Sequence, residues 1–169
     1  MKQSFFASQE TIAPLFVRLL LGLVLFPHGA QKLFGWFGGS GFEGTMAYFT
    51  GTVGLPWIMG FLVILIEVFG SLFLIAGFAT RLSAMAVGCV MLGIVATTMN
   101  DYFFMNWFGD HKSEGMEYFL LAIGMALSLV SGGAGKWSAD NLVASRKEAR
   151  RKRSETDLVP GISANRKTA

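Results

Sequence analysis

Four apolar stretches, residues 12–33, 57–79, 82–99 and 116–134, constrain this chain more than any other feature. Each is close to the roughly 20 residues that an α-helix needs to cross the hydrocarbon of a bilayer. Hydrocarbon offers no partner to an open backbone, so only helices or closed barrels satisfy their peptide groups there. Apolar residues at every second position, the mark of a barrel strand, occur nowhere in the chain. The fold class is therefore all-α, a four-helix transmembrane bundle. Composition agrees: 53% of the 169 residues are apolar and 15% charged, against about 45–50% and 25% in soluble domains. A single cysteine excludes an internal disulfide and any Cys-rich metal or iron–sulfur site. Histidine occurs only at positions 28 and 111, with no HxxxH or ExxH spacing, so no metal site is expected. No Walker A, G-x-S-x-G or strand-borne G-x-G-x-x-G sequence is present.

Charge placement sets the expected topology. Lys2, Arg81 and the basic run at 146–153 fall on one side if all four stretches cross, and Glu43, Asp101, Asp110, His111, Lys112 and Glu114 on the other. Excess Lys/Arg marks the cytoplasmic side, so both termini are expected there. The first stretch is expected to be retained, because basic residues are sparse before it and no small-x-small site follows. The chain then divides into a short leading segment (1–11), the bundle (12–142) and a basic tail (143–169) expected to lack regular structure. In the tail, Arg146, Lys147, Arg150, Arg151, Lys152 and Arg153 crowd into eight residues. Beside a membrane helix such a cluster suits anionic lipid rather than nucleic acid. In the first external loop Phe42, Met46 and Phe49 recur at helical spacing, which predicts a short interfacial helix. In the second, Tyr102, Phe103, Phe104, Trp107 and Phe108 read as an aromatic belt. Small residues at 84/88 and at 89/93/97 predict close helix packing along the third stretch, within one chain or between copies in an oligomer.

Ionisable residues inside apolar stretches are costly, at least about 2.5–3.5 kcal/mol near the bilayer centre, and must face partners. Here they are Arg18, His28, Lys32, Glu67 and Glu117. A rise of about 1.5 Å per residue puts Glu67 near mid-membrane and His28, Lys32 and Glu117 in the outer half. These four outline a polar pocket, and Pro27 supports it by removing a backbone donor in the middle of the first helix. Depth favours His28 as the partner of Glu67 and Glu117 as that of Lys32. Such pairs serve equally as structural ties or as a ligand site, and the residues alone leave both open. Arg18, in the inner half, is long enough to reach the cytoplasmic surface.

The polar landmarks, in order, resemble the DoxX family of small membrane proteins: Arg18-x-x-x-Gly22, His28-Gly29-x-x-Lys32, Glu67-x-x-Gly70, Gly77, Arg81 and Gly132-Gly133-Ala-Gly135-Lys-Trp137-Ser138-Ala-Asp140. The resemblance spans about residues 14–142 and carries over Arg18, Lys32, Glu67 and Gly70. It implies four spans in the inner membrane of a bacterium or archaeon. It also implies a link to quinone chemistry, since one branch supplies a membrane subunit of thiosulfate:quinone oxidoreductase. The expected ligand is a quinone and the expected partner a redox protein. A non-enzymatic scaffold or a small proton-coupled transporter using Glu67 are the alternatives. Thiosulfate chemistry by this polypeptide alone is not expected, because Cys89, its only cysteine, lies mid-span.

Overall fold

The computed structural model describes residues 11–97, 101–109 and 115–158. Helix α1, Ala13–Phe34, starts with Pro14 in its first turn, where the missing N–H has no helical partner to lose. It runs unbroken through Pro27 and ends at Gly35, whose φ of 72° no β-carbon has to tolerate. Helix α2, Gly41–Ala47, continues into a π-helical turn, Tyr48–Thr52. Helix α3, Trp57–Leu65, passes through a second π turn, Ile66–Gly70, into α4, Ser71–Ala76. A tight turn at Gly77 leads to α5, Thr80–Thr97. Helix α6, Glu117–Gly132, and α7, Ala139–Leu158, complete the chain.

No strand occurs among the described residues. Three helical stretches are long and apolar enough to cross a membrane: Ala13–Phe34, Trp57–Ala76 and Thr80–Thr97. Helix α6 is apolar but has 16 residues, because the Gly132–Gly133 pair ends it short of the expected 134. Its inner stripe of Ala122, Ala126 and Leu129 meets Ala84, Val87 and Met91 of α5 and Leu21 and Leu25 of α1 in one core. The outside of the bundle is also apolar: Leu20, Leu23, Leu92, Leu121 and Leu127 are all exposed. An apolar surface all round is what hydrocarbon solvates.

Small residues set the helix spacing. A β-carbon on Gly22 would stand 2.7 Å from Ile75 Cγ1, and one on Gly29 would stand 2.9 Å from the Glu67 carbonyl carbon. Thus α1 lies almost backbone to backbone against the π turn and α4. Of the two small-residue rows on α5, the 84/88 row packs, with Gly88 against Ala126. Cys89 and Gly93 instead face outward. In the first loop, Thr45 and Met46 of α2 are buried, and Phe42 stands edge-on to Phe61 of α3 at 6.2 Å.

The basic tail differs from expectation: residues 143–158 are helical, as the greater part of α7. The segment is rich in Arg, Lys, Glu and Ala, all strong helix formers. Glu148 and Lys152 pair at 2.9 Å, i to i+4, and the ammonium holds the Glu148 carboxyl below the usual carboxylate range. The end of the tail lies outside the described residues, as do Lys2, Asp110, His111, Lys112 and Glu114.

Candidate functional site

Polar side chains gather at both ends of α1. At the Pro14 end, Arg18 is buried, with 1% of its surface exposed. Its Nε donates to the Ala134 carbonyl at 3.1 Å. One terminal nitrogen donates to Leu74 at 3.2 Å and Ile75 at 2.5 Å, the other to Trp137 at 2.6 Å and Lys136 at 3.5 Å. The planar five-donor fork of arginine thus ties the end of α4 to the link between α6 and α7. Arg18 does not reach for the surface as its length suggested, because inward-facing carbonyls satisfy it completely. Gly77, at φ 66°, leaves room for it: a β-carbon there would lie 2.9 Å from Arg18 Cζ and 2.6 Å from Ser138 Cβ. Beside it, the Asp140 carboxylate accepts from the N–H of Ala79 at 2.8 Å and of Thr80 at 2.9 Å, capping α5 from a distance. Arg81 caps α6 in turn, donating to the carbonyls of Val130 and Ser131.

At the Phe34 end the pairing differs from the sequence expectation. Lys32 Nζ donates to Glu67 Oε2 at 2.6 Å, so the two form an ion pair in which Glu67 is almost wholly buried and Lys32 is partly exposed. Gly29 brings the π-turn backbone against α1, and Lys32, three residues on, lies on the same face within reach of the carboxylate. His28 makes no hydrogen bond to Glu67. It lies at the exposed edge of α1, its ring 6.2 Å from that of Tyr118 and inclined at 51°. Both rings remain within electrostatic reach of the Glu67 charge. Glu117 is half-buried in the first turn of α6, where the helix dipole favours an acid. Its carboxylate has no ion pair among the described residues. Gly70 ends the π turn and packs toward Val87, while Pro27 is partly buried one position before His28.

Lys32 also lines a cleft of about 270 Å³ with Gln31, Gly39, Ser40, Thr45, Tyr48 and Phe49. One cation thus has a buried carboxylate on one side and an accessible cleft on the other. The cleft lining was not legible in the sequence, because it depends on α2 folding back over α1. Tyr118 was legible in principle: it extends the 122/126/129 stripe by one turn toward the start of α6, whereas Glu117 does not. Among the described residues no group of His, Cys, Asp and Glu could hold a metal ion.

A family model described as DoxX matches residues 13–100, more than half of the chain and the part that carries Arg18, Lys32 and Glu67. A protein of Bacillus subtilis (strain 168) named "Putative oxidoreductase CatD" is 29% identical over 118 residues, covering 70% of this chain and 78% of its own. No solved structure gives a significant match. The described fold is helical throughout, with three helices able to span a membrane and a buried ion pair inside the matched region. The chain belongs to the DoxX family of small membrane proteins.

Proposed function

We propose that the chain is a multi-pass inner-membrane protein with four spans, both termini in the cytoplasm and α2 at the outer interface. In this reading the Lys32 cleft binds the ring of a quinone-like amphiphile, and the chain serves as the membrane subunit of an oxidoreductase. The observation that carries it is the Lys32–Glu67 pair, buried on one side and open to the cleft on the other. An ammonium has three donors and Glu67 takes one. The others serve a ligand oxygen, while the carboxylate cancels the charge. A site of this kind suits an uncharged ring with acceptor oxygens better than a free anion. Tyr48 and Phe49 supply aromatic walls. Glu67 holds or returns a proton as the ligand's charge changes, and the electrons pass through a partner redox protein. The name of the Bacillus relative supports this class of reaction.

Native mass spectrometry with a short-chain quinone tests the reading. Wild type should retain the quinone, Lys32→Met should lose it, and Glu67→Gln should hold it more weakly. Equal occupancy in wild type and Lys32→Met would overturn the quinone site. A redox protein that co-purifies with every variant, with no quinone bound, would assign the chain to a scaffold. Proton-coupled flux in liposomes, abolished by Glu67→Gln, would assign it to transport.

A further inference from the structure

The structure assigns α7 a second surface, separate from the Lys32 cleft and independent of any quinone. We propose that α7 lays one arginine face on the phosphate layer of an anionic membrane. Its first turn is clamped to the bundle. The Asp140 N–H donates to the Gly77 carbonyl at 3.0 Å, and the Asp140 carboxylate holds the start of α5. The Asn141 amide donates to the Gly135 carbonyl at 2.8 Å. The helix therefore leaves the bundle where two membrane-length helices, Trp57–Ala76 and Thr80–Thr97, turn into each other.

The charges on α7 are sorted around its axis. At about 100° per residue, Leu142, Arg153, Arg146, Arg150 and Val143 fall in that angular order within an arc of about 100°, which one acid, Asp157 in the last turn, also shares. Glu148 and Lys152 lie on the opposite side, paired with each other. Arg146, Arg150 and Arg153 are exposed and have no hydrogen-bond or ion-pair partner among the described residues. Arg151 and Lys152, off the arc, do have partners. At the base of the arc Leu142 and Val143 are exposed, and Trp137, two residues before the helix, is 76% exposed. Three unpaired arginines flanked by exposed Leu142 and Val143, with exposed Trp137 just before the helix, match a membrane surface, with apolar groups entering the acyl boundary and guanidiniums on phosphate. A nucleic-acid backbone would leave the apolar patch uncovered. Each basic residue near an anionic surface shifts the bound equilibrium about fivefold, so three shift it about a hundredfold.

The test uses the full chain in nanodiscs, with a nitroxide on Ser154→Cys, just past the Val143 edge of the arc, or on Ser145→Cys, about 180° round the helix from Ser154, each in a Cys89→Ser background. In phosphatidylcholine–phosphatidylglycerol discs the label at 154 should become oxygen-accessible and shielded from a water-soluble nickel chelate, while the label at 145 stays nickel-accessible. Phosphatidylcholine alone should leave both in water. Removing Arg146, Arg150 and Arg153 together, each to Gln, should return the label at 154 to water. Removing Lys136, Arg151 and Lys152, an equal charge off the arc, should not. A label at 154 that stays in water in anionic discs, equal immersion in neutral discs, or equal effects of the two triple variants would each overturn the proposal. Immobilisation of the label by duplex DNA rather than by anionic discs would assign the face to nucleic acid and also overturn it.

Discussion

Lys32 and Glu67 show how one side chain changes the meaning of another. Depth along the helices pointed to His28 for Glu67, because His28 lies closer to mid-span. Reach decided otherwise: a lysine carries its charge along a four-carbon stem, and Lys32 extends it back to the π turn. Single-residue spacing shows which groups share a layer but not how far a flexible chain leans within it, and for that reason Lys32 and Glu67 were legible as polar candidates but not as a pair, and the cleft, which holds neither His28 nor Glu117, was not legible. The pair also makes an energetic prediction. Lys32→Met leaves a carboxylate buried without its cation, a loss of about 3–5 kcal/mol when one member of a buried pair goes. Lys32→Met combined with Glu67→Leu removes the orphaned charge as well, so the double variant should be more stable than Lys32→Met alone. Thermal unfolding of the detergent-solubilised protein measures this, and a double variant no more stable than Lys32→Met would contradict it. Arg18 carries the same lesson further. Its acceptors are carbonyls, which every residue has, and nothing in a one-letter sequence marks which of them point inward.

Among the helices, glycine rather than charge fixes the geometry of the candidate site. Gly29 has Val68 N and the Glu67 carbonyl carbon each 2.9 Å from where a β-carbon would sit, and neither can swing aside. Gly29→Ala must push the π turn away from α1, at about 1–3 kcal/mol for overpacking, and must stretch the Lys32–Glu67 contact. Gly124 of α6 has open space around it. There the same substitution should be neutral or stabilising by up to about 1 kcal/mol through helix propensity alone. Comparing the unfolding midpoints of the two variants checks both halves, and a Gly29→Ala protein as stable as Gly124→Ala would show that the contact is not tight. Helix identities were legible because 3.6-residue periodicity survives in apolar stretches. The ends were less so: α6 stops at Gly132, earlier than hydropathy suggests, and α7 begins where hydropathy falls away. Helix formation there depends on propensity, the Glu148–Lys152 pair and the Asp140 clamp, none of which a hydropathy profile registers.

At the scale of the whole molecule, the proposed topology puts α2 and residues 101–109 outside and α7 inside. In a Cys89→Ser background, cysteines at Ser40 and Phe108 should react with an impermeant thiol reagent added to intact cells, and one at Ser145 should react only after lysis. Labelling at 145 from outside would reverse the orientation. The overall class was legible from the apolar stretches, since a bilayer allows so few solutions. The closing contacts were not, because they join residues far apart along the chain. That separation also orders events in time. Trp137, which supplies an Arg18 acceptor, lies 119 residues after it. At about 5–20 residues per second of synthesis, the guanidinium exists for roughly 6–24 s before that carbonyl does. Until then the guanidinium lacks part of its acceptor set, and its long stem can keep that charge in water at the membrane edge. The hydrogen-bond set that buries Arg18 is therefore complete only once the link between α6 and α7 has been made.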